Sequence, residues 1–102
     1  MTKYGPEAVE PMTYKLLYHP DVKKLDFPRI DAKAKARIKK AIEERLAIRP
    51  ELYGTPLQRT LKGYWKLRVG DYRVVYKFTG NTLRILGIIH RKKVYSQIEK
   101  RM

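Results

Sequence analysis

The chain has 102 residues, with 24 Lys and Arg against 10 Asp and Glu, a net charge of +14, two histidines and no cysteine. That length supports one domain with a modest core, and the lack of cysteine excludes a disulfide framework and a thiolate metal site. No apolar run approaches the ~20 residues of a membrane helix, the start "MTKYGPEAVEPM" lacks the apolar stretch of a secretory signal, and His19 and His90 alone do not make a zinc site. A cytoplasmic protein needing no cofactor is expected.

Residues 1–12, with Gly5, Pro6 and Pro11, show no periodicity and read as a loose tail before a single domain over 13–102. "TYKLLYH", 13–19, is short and rich in apolar and aromatic residues, a first strand ended by Pro20. "DVKKLDF" fits a helical turn or two halted before Pro28. The strongest helix signal follows: Asp31 as N-cap, then Ala34, Ile38, Ala41, Ile42 and Leu46 at helical spacing, up to Pro50. "PELYGTPLQRTLKG" reads as a connector.

From Tyr64 the period becomes two. "YWKLRV", "YRVVYKF" and "TLRILGIIH" predict three strands joined by Gly70-Asp71 and Gly80-Asn81 turns. The end, "RKKVYSQIEKRM", predicts a short helix with Val94, Ile98 and Met102 on one side. The order β-α-α-β-β-β-α implies an α+β domain, a small, mainly antiparallel sheet with helices packed on one face.

Charge is distributed unevenly. Through Leu57 there are 12 basic and 8 acidic residues; from Gln58 onward there are 12 basic and 2 acidic, Asp71 and Glu99. Such an excess points to a polyanion, nucleic acid above all, or to an acidic protein. A membrane surface fits less well, because the excess lies in strand-like sequence and not on a basic amphipathic helix.

The hairpin register makes this specific. A turn at Gly70-Asp71 sets Val69 against Tyr72, Arg68 against Arg73, Lys66 against Val75 and Trp65 against Tyr76. Trp65, Leu67, Val69, Tyr72, Val74 and Tyr76 then form the core face. Tyr64, Lys66, Arg68, Arg73, Val75 and Lys77 share the outer face, with Arg84 opposite Lys77 and His90 near Asp71. A facing like-charge pair costs roughly 0.2–1 kcal/mol, and an anion bridging Arg68 and Arg73 would convert that cost into binding. A solvated polar face accounts for any single Lys or Arg, but less well for several on one face with so little acid. His90 alone suits a structural role beside Asp71. Tyr95, one helical turn after "HRKK", suits either packing on the sheet or stacking on a base, as single-stranded RNA requires.

"LKGYWKLRVGDYRVVYKF", followed by a strand ending "IIHRKKVY", resembles the RelE toxins of type II toxin–antitoxin modules, from Tyr14 to the C-terminus. The "LRVGDYRVVY" core is shared across the RelE/ParE superfamily, so it specifies the fold more than the activity. The resemblance implies a RelE-like microbial-ribonuclease-type fold. It also implies a metal-independent endoribonuclease that acts at the ribosome, cuts mRNA and inhibits translation. By the same resemblance Lys66 matches a lysine of proton transfer, Arg73 the arginine at the scissile phosphate, Arg91 a second catalytic arginine and Tyr95 a tyrosine that orients substrate. Lys62 and Arg68 match positions that hold the RNA backbone. Tyr64, Lys92 and Lys93 complete the RNA-facing set. Tyr64 stands where some members have a second lysine, which makes His90 the substitute acid or base to test. The implied partners are a cognate antitoxin that covers the basic face, the ribosome and mRNA. Two other readings remain: a ParE-like gyrase inhibitor without nuclease chemistry, and a non-catalytic RNA-binding module.

Overall fold

The computed structural model describes residues 13–57 and 63–102. The expected tail over 1–12 and Lys62 lie outside the described residues. Strand β1 (Lys15–Tyr18) leads into helical turns at Val22–Asp26 and Phe27–Arg29. Pro28 falls in the first positions of the second turn and does not halt it; a missing N–H costs nothing at a helix start. Helix α1 (Ala32–Ala41) starts where Asp31 Oδ1 accepts the Ala34 amide at 2.8 Å. It continues into a wider turn, Ile42–Leu46, and buries Ile38, Ala41, Ile42 and Leu46.

The stretch expected to be a plain connector holds two elements, α2 (Pro50–Tyr53) and the two-residue strand β2 (Thr55–Pro56). Proline begins the helix and also sits on the sheet's edge, the two places where its missing donor is tolerated. Tyr76, fully buried, ties this segment to the sheet by donating its hydroxyl to Pro50 O at 2.7 Å. A side chain at Gly54 would collide with that hydroxyl.

Strands β3 (Trp65–Val69), β4 (Tyr72–Thr79) and β5 (Thr82–His90) complete a five-stranded sheet of order β1-β5-β4-β3-β2. Gly70 and Gly80 adopt φ of 60° and 58° at the first turn positions, the conformation a two-residue hairpin needs. The β3–β4 register pairs Trp65 with Tyr76, Lys66 with Val75, Arg68 with Arg73 and Val69 with Tyr72, as the sequence implies. The edge strand β1 runs parallel to β5, so the sheet is mixed.

The domain is α+β. The main core lies between α1 with its flanking turns and the face of Leu67, Val69, Val74, Tyr76, Leu83, Ile85 and Ile88. The last helix, α3 (Val94–Glu99), lies on the other face. There Val94 and Ile98 pack with Leu57, Val75, Leu86 and Ile89. Helices therefore cover both sheet faces: the outer face is basic at one end and apolar under α3. Met102, expected on the apolar side of this helix, is 54% exposed, and Arg101 is the residue that reaches inward.

Beyond Val75/Tyr76 the β4–β5 ladder shifts by one residue: Tyr76 pairs with Ile85, but Val75 pairs with Gly87. Leu86 is the extra residue of a bulge, and bulges reverse the alternation of faces beyond them. A regular ladder would set His90 against Asp71; the observed one sets it against Tyr72. His90 thus moves to the α1 face, and Arg91, the next residue, falls to the outer face.

Candidate RNA interface

Three arginines converge at one end of the outer face. Arg68 on β3 faces Arg73 on β4 directly. Arg91 follows β5 in a short helical turn, Arg91–Lys93, whose first amide donates to Asp71 O at 2.9 Å, fixing it against the β3–β4 turn. Partial burial, then the charges of Arg68 and Arg91, hold the Arg73 guanidinium below its ordinary value, with Asp71 opposing. Mutual repulsion of this kind marks a place where an anion would be stabilised. Arg73 Nη1 donates to Gly70 O at 3.1 Å and to Tyr72 O at 3.0 Å. The turn carbonyls pin one nitrogen and leave the rest of the fork for a ligand.

Lys66 sits two residues before Arg68, on the same face of β3, between Val75 on one side and Thr55 on the other. It is half-buried, while Arg68 is exposed. Tyr64 packs against the apolar cluster under α3 and lies beneath Lys77, whose Nζ is 5.3 Å from the ring centroid. Tyr95 is 44% exposed on α3, next to the buried Val94, and so belongs to the outer layer.

The remaining expected residues lie elsewhere. His90 packs edge-on against Tyr72, with centroids 5.9 Å apart, and its Nδ1 accepts the Lys92 amide at 3.3 Å. Its ring and hydrogen-bond partners are Tyr72 and Lys92, while Asp71 lies close by, lining with it a further cavity at the β3–β4 turn. With Lys92 and Lys93, His90 lines a separate cavity beside the Val22–Asp26 and Phe27–Arg29 turns. Sequence reasoning missed this division because it missed the bulge; Gly87, inside an otherwise apolar strand, was the available signal. It also missed a groove of about 410 Å³ between α1 and the β3–β4 turn, where Arg37, Lys40 and Arg45 join Arg68, with Glu44 as the acidic member.

Among the described residues, no group of three or more His, Cys, Asp or Glu could hold a metal ion, and no helix is long and apolar enough to cross a membrane.

Residues 16–95 match the family model for the ParE toxin of type II toxin–antitoxin systems, parDE. The chain belongs to the RelE/ParE toxin family. It is a type II toxin by family, and its fold is shared with solved toxin structures. The toxin–antitoxin complex RelBE2 from Mycobacterium tuberculosis contains a chain 26% identical, with a TM-score of 0.71 over 78% of this chain and 92% of that one. A RelB–RelE complex from Methanococcus jannaschii gives 25% identity and a TM-score of 0.63 over 79% and 96%. A mutant of the E. coli toxin RelE in the free state gives 20% identity and 0.70 over 88% and 98%, a likeness of fold. Among curated proteins none matches the sequence.

Proposed function

We propose that this toxin is a metal-independent endoribonuclease that enters the ribosome, cuts mRNA and so stops translation in the cytoplasm. The observation that carries the reading is the convergence of Arg68, Arg73 and Arg91 at the β3–β4 turn, with Lys66 on the same face. A phosphodiester set between Arg68 and Arg73 relieves their repulsion and places its non-bridging oxygens on guanidinium forks. Lys66, in its neutral form, takes the proton of the RNA 2′-hydroxyl as that oxygen attacks phosphorus. Arg73 and Arg91 stabilise the charge that builds on the pentacoordinate phosphorus. The P–O5′ bond breaks, leaving a 2′,3′-cyclic phosphate, and the departing oxygen takes its proton from solvent. The arginines remain protonated throughout. His90, on the α1 face, takes no part in this arrangement; Tyr95, on the outer layer, orients a base.

A cognate antitoxin is the expected protein partner, since two of the similar structures are toxin–antitoxin complexes. An acidic or amphipathic antitoxin segment laid over the basic face would neutralise it.

The test is an in vitro translation reaction with a mapped reporter mRNA. Wild-type protein cuts the message in the ribosomal A site, and Arg73→Ala lowers cutting by about 10²-fold or more, the loss typical of removing a transition-state charge. Intact mRNA with the wild-type protein would overturn the reading. The match to the ParE model favours one alternative, inhibition of DNA gyrase by binding alone. That reading predicts blocked supercoiling that survives Arg73→Ala, without RNA cleavage.

A further inference from the structure

Strand β1 pairs with β5 only from Thr82 to Ile85. Past that point the outer edge of β5 faces a cavity of about 400 Å³, lined by Asp26, Arg29, Tyr72, His90, Lys92 and Lys93 over a floor of isoleucines. We propose that this cavity binds a nucleotide, the phosphate held by Arg29, Lys92 and Lys93 and the base laid against Tyr72 and His90. The proposal rests on the RNA reading above and deepens it: the occupant is a nucleotide of the same RNA chain, next to the phosphate that bridges Arg68 and Arg73.

Four observations support it. The volume falls within the range of small-molecule sites and so accommodates a nucleoside monophosphate. The charge is uncompensated: both oxygens of Asp26, the acidic residue in the lining, are already taken, Oδ1 by Arg101 and Oδ2 by Arg101 and the Ile88 amide. Three cations therefore face the space without a free carboxylate, the composition of a phosphate site. The rings of Tyr72 and His90, edge-on to each other at 80°, bring aromatic surface to the cavity of the kind on which bases stack. Because His90 Nδ1 accepts the Lys92 amide, the neutral ring carries its proton on Nε2, a donor for a phosphate or a base edge.

Position links the two sites. Tyr72 and Arg73 are consecutive, as are His90 and Arg91, and each pair points to opposite faces of the sheet. The cavity wraps the free edge of β5, taking Ile88 and His90 from one face and Ile89 and Gln97 from the other, and so adjoins the arginine cluster at one end of the β4–β5 ladder. A strand passing round that end would put neighbouring nucleotides in both.

The experiment uses the isotopically labelled full chain, titrated in separate arms with adenosine 5′-monophosphate and with inorganic phosphate, followed by NMR. Saturable shifts are expected at Tyr72, His90, Lys92 and Lys93, with the nucleotide bound about tenfold more tightly than phosphate. The double variant Lys92→Ala/Lys93→Ala weakens nucleotide binding by about tenfold or more. Lys24→Ala, which removes an exposed charge outside the cavity, leaves it unchanged. Shifts confined to Arg68, Arg73 and Arg91, equal affinity for the two probes, or indifference to the lysine pair would each overturn the proposal. No ribosome is involved, so the outcomes separate: nucleotide binding without mRNA cleavage keeps the site and removes the nuclease reading. Cleavage without binding here removes the site alone.

Discussion

Arg101 and Asp26, 75 residues apart, meet in a two-pronged ion pair at the unpaired edge of β5: Nη1 donates to Oδ2 at 2.8 Å and Nη2 to Oδ1 at 2.7 Å. Asp26 Oδ2 also accepts the Ile88 amide at 2.8 Å, and Arg101 Nη1 donates to Leu86 O at 3.1 Å. The pair takes the place of the strand that β1 is too short to supply, satisfying one donor and one acceptor of an exposed edge. Hydrogen bonding to Asp26 raises the Arg101 pKa above its ordinary value against the opposing effect of burial.

Removing Arg101 leaves the buried Asp26 carboxylate without its cation, and removing Asp26 leaves Arg101 with the longer carboxylate contact to Asp21 Oδ2, at 3.7 Å. Arg101→Ala and Asp26→Ala should each lower stability by about 3–5 kcal/mol, measured by chemical denaturation. Replacing both with apolar residues of similar size should cost less than either single change. A double variant as unstable as the sum of the two singles would refute a coupled pair.

Gly87 lies beneath that contact. A Cβ there would come within 2.8 Å of both Arg101 Nη1 and Ile98 Cδ1. Either atom alone could move aside, but Arg101 is held by Asp26 and Ile98 is fully buried. Gly87→Ala should cost about 1–3 kcal/mol, as overpacking does, and loosen α3. Denaturation gives the cost, and amide exchange along Val94–Glu99 reads the loosening.

Arg68 sets stability against binding. Replacing it with threonine removes the repulsion facing Arg73 and should stabilise the hairpin by roughly 0.2–1 kcal/mol at low salt. The same change should weaken RNA binding and flatten its salt dependence by about 0.7 in log–log slope, the contribution of one phosphate contact on a single strand. A variant less stable than wild type would show that the two arginines do not repel in the folded protein.

Alkaline pH tests the core. Burial, and secondarily Glu51, raises the Tyr76 pKa far above its ordinary 10.0; burial and Glu43 raise that of Tyr18. Well below pH 10 these phenols are neutral whether the chain is folded or unfolded and add no pH dependence. As pH climbs past 10, the unfolded chain ionises them while the folded chain resists, so stability falls. Tyr76→Phe should flatten this decline while costing about 1 kcal/mol at neutral pH for the lost bond to Pro50 O. Stability measured from pH 8 to 11.5 checks both, and an unchanged alkaline slope in the variant would contradict the assignment.

The β3–β4 hairpin was legible because alternation and glycine turns are local signals. Its register, its core face and the facing of Arg68 and Arg73 all follow from counting outward from Gly70-Asp71. Helix α1 was legible for the same reason, through Asp31 and the apolar stripe. What depended on distant partners was not: β1 lies parallel to a strand some 67 residues away (Lys15 against Thr82), and Asp26 waits for a residue near the C-terminus. Tyr64 read as a missing lysine, whereas packing against the α3 cluster gives it a place of its own. The site divided where the alternation failed. One inserted residue, Leu86, decided which of His90 and Arg91 joins Arg73, and strict counting chose the wrong one.

That inserted residue gives the end of β5 an unusual sensitivity to length. Deleting Leu86 by a single codon would restore strict alternation, turning His90 toward Arg73 and Arg91 toward the α1 layer without changing the identity of either. Substitution would alter chemistry at one position. A one-residue deletion here would exchange which of two neighbouring side chains meets the phosphate, leaving the composition of the site intact and its meaning reversed.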